Sequence, residues 1–133
     1  MEDHMPTIIG KAIWWGRPPD GWIKINIDES INKTMKTAGI GSVVRNRNGE
    51  LITAFAKALQ FYTNNQSEVQ AALHALQWCK NNNIHNVILE MDSLMVVNII
   101  KDIYNTPWEL VDDIRSMRHI IHSQSITVQH CYI

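Results

Sequence analysis

The sequence predicts an α/β domain built on a mixed five-stranded sheet. Three patterns predict it: a strictly alternating run near the start, an Asn-Gly turn between two further strand-like runs, and a long helical pattern followed by a short apolar run. From Trp22 the chain alternates, with Ile23, Ile25 and Ile27 on one side and Lys24, Asn26 and Asp28 on the other. That is the period of a strand with one buried face. Residues 1 to 21, including Trp14, Trp15 and the pair Pro18-Pro19, have no clear period and read as a leader packed across a domain of residues 22 to 133.

A second strand is expected from Ala38 to Arg45 and a third from Leu51 to Leu59, joined by Asn46-Arg47-Asn48-Gly49. Asn-Gly between such runs is a strong hairpin signal, so strands one to three form an antiparallel meander. Gly39 and Gly41 inside the second strand suggest a bulge or a close backbone approach. Val69, Ala72, Leu73, Leu76 and Cys79 then recur at helical spacing, and Asn81-Asn82-Asn83 is the expected stop. Glu68 falls about 80° from the centre of that stripe, at the edge of the buried face.

The run Asn86 to Met91 reads as a strand buried on both faces. Asp92-Ser93 ends it and caps a helix running through Val97, Ile100 and Ile103. Thr106-Pro107-Trp108-Glu109 has the form of a capping box with Pro at the first helical position, opening a helix that turns Val111, Ile114, Met117 and Ile121 inward. Alternation of Ile126, Val128 and His130 with Thr127, Gln129 and Cys131 marks a last strand. A strand reached from the meander through a helix is most economically placed beside the first strand and parallel to it, by a right-handed crossover.

Composition narrows the functional classes. The chain has 133 residues, enough for one modest core, and 12 Lys+Arg against 13 Asp+Glu leave a formal net charge of -1. The whole-molecule field therefore gives no strong grip on a polyanion, and nucleic-acid binding would be local. Cys79 and Cys131 lie in apolar settings that do not suggest a disulfide framework. No apolar run approaches the ~20 residues of a membrane span, and residues 1 to 10 do not read as a secretory signal, so an intracellular protein without membrane insertion is expected.

Asp28 ends the first strand, Glu68 opens the first long helix and Asp92 ends the fourth strand. In the expected topology the two aspartates lie side by side at the carboxyl ends of neighbouring strands, where open α/β sheets place their sites. Three carboxylates gathered there suit hard divalent cations, and a pair of such ions can drive in-line displacement at a phosphodiester. The plainer reading is that Asp92 caps a helix, Glu68 favours a helix N-terminus and Asp28 sits on a solvated strand face.

In its order of motifs the chain resembles the type 1 ribonuclease H family, and within it the plant domains similar to those of non-LTR retroelements. The resemblance rests on residues 22 to 28, on 38 to 45 with Asn48-Gly49, on Thr63-Asn64-Asn65-Gln66-Ser67-Glu68, and on 87 to 93. Thr106 to Leu110 and His130-Cys131-Tyr132 extend it, so that it covers about residues 17 to 132.

The resemblance implies a ribonuclease H-like fold and cleavage of the RNA strand of RNA-DNA hybrids with Mg2+ or Mn2+. It gives Asp28, Glu68 and Asp92 the metal-binding catalytic roles, and assigns nucleic-acid contact to Asn64, Asn65, Gln66, Ser30 and Ser93. Minor-groove contacts of this kind can distinguish an RNA 2′-hydroxyl. Asn64 and Asn65 could instead serve as a helix cap and turn.

Two features depart from the family pattern. Glu29 follows Asp28 where the family has Gly, and the sequence stops at Ile133 before a helix that carries a fourth metal-binding Asp in the family. A C-terminally truncated domain is therefore expected, with one sheet face uncovered and open to a homo-oligomer or a protein partner. The alternative function is a catalytically impaired ribonuclease H-like module that binds nucleic acid or protein.

Overall fold

The computed structural model describes residues 7–9, 13–15, 20–32, 37–60 and 64–131. Thr63 and Tyr132, which contributed to the sequence motifs, lie outside the described residues. Strands β1 (Thr7–Ile9) and β2 (Ile13–Trp15) pair antiparallel, with Thr7 opposite Trp15. This small hairpin lies within the stretch where the sequence shows no period, because three-residue strands are too short to display one.

The main sheet contains β3 (Ile23–Asn32), β4 (Thr37–Arg45), β5 (Leu51–Gln60), β6 (Val87–Met91) and β7 (Ile126–His130), in the order β5-β4-β3-β6-β7. The first three form the antiparallel meander, while β6 lies parallel to both β3 and β7. The β4–β5 turn is fastened by Asn46, whose Oδ1 accepts the N–H groups of Asn48 at 2.9 Å and Glu50 at 3.0 Å. Gly49 takes φ +81 there, a backbone state that suits glycine. The register shift in this hairpin falls between Val44 and Arg45 rather than at Gly39 or Gly41.

Helix α1 (Asn64–Asn81) crosses β3 and β4. It buries Val69, Ala72, Leu76 and Cys79 with Ile25, Val44 and Leu89 of the sheet. Each fully buried Leu or Ile contributes about 1.5–3 kcal/mol. Phe55 of β5 meets His74 and Trp78 of α1 edge-on, with ring centroids 5.1 and 5.5 Å apart. Gln70 of α1 donates to Asp113 at 2.7 Å, linking it to α3 (Val111–Ser123), which buries Ile114, Met117 and Ile120. Ile120 is the buried end of that inward stripe, and Ile121 packs partly buried against the same core.

Two helix boundaries differ from expectation. Helix α2 (Leu94–Ile100) ends before Ile103, which is 63% exposed. Asp102 adopts φ 62, and the N–H groups of Ile103 and Tyr104 turn back to the Asn98 carbonyl, so the chain leaves the helix. The Thr106 capping box does not form: Pro107 is extended at ψ 143, and a short 3-10 turn over Trp108–Leu110 precedes α3 without a side-chain cap.

The sheet face opposite the helices is not open throughout. Lys24 is 2% and Glu90 8% exposed, whereas Ala54, Ala56 and Thr127 on the same side are exposed. The expected exposed face is therefore seen toward its sides, while a buried polar cluster stands at its centre.

Candidate metal and nucleic-acid site

Parallel pairing of β3 with β6 sets a constant offset: Ile23 pairs with Val87 and Asn26 with Glu90, each 64 residues apart. Continued two residues further, the same offset makes Asp28 level with Asp92, since 92 − 28 is also 64. Asp92 directly follows the end of β6, whereas Asp28 does not end its strand as the sequence suggested: β3 continues to Asn32 in its pairing with β4, and Asp28 lies just past the stretch of β3 that pairs with β6. On its other side Asp28 pairs with Gly41 of β4. The side chains of Asp28, Ser30 and Asn64 lie outside the described residues.

Glu68, in the second turn of α1, is only 1% exposed, deeper than the edge position its helical angle suggests. The reason is tertiary: its Oε2 accepts the Ser93 main-chain N–H at 3.0 Å, which draws the carboxylate under the end of β6. Asp92 itself is exposed. Asp92 does not cap α2; Ser93 does, its Oγ accepting the Val96 N–H at 3.2 Å. Glu68 and the Asp92-Ser93 junction are therefore brought together.

Asn65 and Gln66 are partly buried in the first turn of α1 rather than forming a cap before it. Asn65 Nδ2 lies 3.9 Å from the sulfur of Met95, at the start of α2. Met95 and its neighbour Leu94 are 42% and 46% exposed, so an amide and two apolar side chains share this rim.

Two supports went unseen in the sequence. Lower in the sheet, Glu90 receives Lys24 Nζ at 3.2 Å, Asn26 Nδ2 at 2.9 Å and Gln129 Nε2, which ties β3, β6 and β7 together two residues before the aspartates. Above it, His130 Nε2 lies 2.9 Å from the Asp92 carbonyl oxygen. Only the polar-side parity of Lys24, Asn26 and Glu90 could have signalled the first.

The donors suit a hard cation: an exposed carboxylate, a buried one fixed by a main-chain N–H, and a third acid brought level by strand register. Among the described residues, which exclude the Asp28 side chain, no group of three or more His, Cys, Asp or Glu is gathered for metal binding. No helix among them is long and apolar enough to cross a membrane.

The family model described as reverse transcriptase-like matches residues 26–132. Solved structures with the same fold include the ribonuclease H1 of Halobacterium salinarum, at TM-score 0.74 and 19% identity over 82% of this chain and 84% of that one. The N-terminal ribonuclease H domain of Rv2228c from Mycobacterium tuberculosis, in a maltose-binding-protein fusion, aligns at TM-score 0.74 and 18% identity over 82% and 81%. LC11 ribonuclease H1, isolated from compost and solved with an RNA/DNA hybrid, aligns at 0.71 and 22% over 81% and 83%. No curated protein matches the chain.

Proposed function

Because the chain belongs to the reverse transcriptase-like family and has the ribonuclease H fold, we propose that it is a metal-dependent endonuclease hydrolysing the RNA strand of RNA-DNA hybrids. The observation that carries this reading is the shared offset of 64 that makes Asp28 level with Asp92, together with the Glu68 carboxylate anchored at Ser93. A structural neighbour solved with an RNA/DNA hybrid supports the choice of substrate.

In this reading Asp28, Glu68 and Asp92 hold Mg2+ or Mn2+. Such ions, when bound, activate a water and neutralise charge on the phosphodiester. The chain's own contribution is positional. Strand register fixes the spacing of the two aspartates, the Ser93 N–H fixes Glu68, and Asn64, Asn65, Gln66, Ser30 and Ser93 supply donors and acceptors around the strand ends for the hybrid's sugars and phosphates.

Cleavage of a labelled hybrid with Mg2+ or Mn2+ tests the proposal. The unaltered chain should cut the RNA strand only with metal, and Asp28→Asn or Asp92→Asn should reduce the rate at least ~100-fold, the order expected when a group central to catalysis is removed. If the unaltered chain makes no metal-dependent cuts even at high concentration, the proposal fails and a hybrid- or protein-binding module is left.

A further inference from the structure

One peptide group, the link between Asp92 and Ser93, has both of its polar atoms held by side chains from distant elements. Its N–H donates to Glu68 Oε2 at 3.0 Å, and its carbonyl oxygen lies 2.9 Å from His130 Nε2. A carbonyl can only accept, so His130 carries its proton on Nε2 and donates. We infer that His130 is a positioning residue: by fixing the plane of this peptide it sets the direction in which the Asp92 side chain leaves the backbone.

The surroundings make this a rigid support. The hydrogen-bond ladder of β6 and β7 runs to its end, with Cys131 N donating to the Met91 carbonyl at 2.8 Å, so His130 is held between a strand and its continuation. Gln129, the preceding residue, holds Glu90. On the far side of the peptide, Ser93 caps α2 and anchors the next residue, and rotation of the Asp92-Ser93 plane would break two hydrogen bonds together, those of Glu68 and His130. Asp92 is exposed, so the backbone plane sets its aim.

The inference rests on the nuclease reading, because the value of aiming Asp92 lies in cation binding. Partners that orient a metal ligand usually change affinity 10–100-fold when removed. His130 acts through the main chain, so the lower end applies.

The test uses the full chain, with His130→Ala, His130→Gln and the unaltered protein compared. Mn2+ affinity is measured by calorimetry without nucleic acid, thermal stability is measured on the same samples, and hybrid cleavage is separated into kcat and KM. We expect His130→Ala to weaken Mn2+ binding about tenfold and to lower kcat with little change in KM. His130→Gln, whose amide can reach the same carbonyl, should restore both to within about twofold, whatever its melting temperature. Unaltered Mn2+ affinity in His130→Ala overturns the inference while the nuclease reading stands. Equal losses in both variants that follow their melting temperatures also overturn it, since they would mark general destabilisation. Absence of Mn2+ binding by the unaltered chain removes the nuclease reading, and the positioning role with it.

Discussion

Lys24 and Glu90 form a buried ion pair between adjacent parallel strands, Nζ to Oε2 at 3.2 Å, with side chains 2% and 10% exposed. Glu90 also accepts from Asn26 and Gln129, so its charge is met from both neighbouring strands. Removing one member leaves the other charge buried, which typically costs 3–5 kcal/mol, while replacing both by apolar groups of similar size costs far less. Lys24→Met should therefore destabilise by about 3 kcal/mol, and Lys24→Met with Glu90→Leu should recover much of that. Urea denaturation followed by circular dichroism decides the matter: single-variant costs that simply add would contradict the pairing.

Ser93 has two functions that one substitution separates. Its Oγ caps α2 through Val96, and its main-chain N–H holds Glu68. Ser93→Ala removes only the first, so a loss of about 1 kcal/mol is expected, with Ser93→Asn close to the unaltered protein. Metal affinity should be retained in Ser93→Ala, because the peptide N–H remains. Parallel melting curves and Mn2+ titrations check both halves.

Cys79 gives a pH-dependent signature. Burial pushes its thiol from 9.0 up to about 11. The neutral thiol is thus favoured by folding, and its contribution is complete below pH 9. As pH rises from 9 to 11 the unfolded chain ionises first, so stability falls across that window by up to about 2.7 kcal/mol. Denaturant midpoints for the unaltered protein and Cys79→Ala, compared at pH 8 and pH 11, should differ by that trend, with the variant losing less. The thiol of Cys131 is also raised, by burial first and by Glu90 next, yet it is only partly buried. Disulfide-exchange reagents should accordingly modify Cys131 in the native protein and Cys79 only on unfolding.

Trp108 is 85% exposed, in the short turn before α3. Trp108→Ala should change stability by no more than about 0.5 kcal/mol. A larger loss in urea titrations would mean that the ring is buried in solution.

The sheet was legible because its pattern is local. Ile23, Ile25 and Ile27 alternate with polar residues, Asn48-Gly49 marks the hairpin, and Val87-Ile88-Leu89 marks a covered strand. The central helix was legible from Val69 to Cys79 for the same reason. Boundaries set by backbone state were not: Thr106 has the chemistry of a cap, but the extended Pro107 delays α3, and Asp102 in a left-handed state leaves Ile103 outside α2.

The sequence reading named Glu68 and Asp92 without their supports. Glu68 is more deeply buried than its helical angle implies, because Ser93 holds it 25 positions away. His130 reaches Asp92 across 38 positions, and Asn26 reaches Glu90 across 64. Such contacts depend on which strands become neighbours and in what register, and periodicity within one segment does not encode either.

The pairing of β6 with β7 brings Gln129 opposite Glu90 and His130 opposite Met91. Adjacent strand residues point to opposite faces, so a slip of one position would exchange their orientations and detach Glu90 and the Asp92 carbonyl simultaneously. The tight joint at Gln124-Ser125, where Ser125 takes φ 55, is consequently a place of low tolerance to indels. Lengthening or shortening it by a single codon would cripple the centre while altering none of the acidic residues.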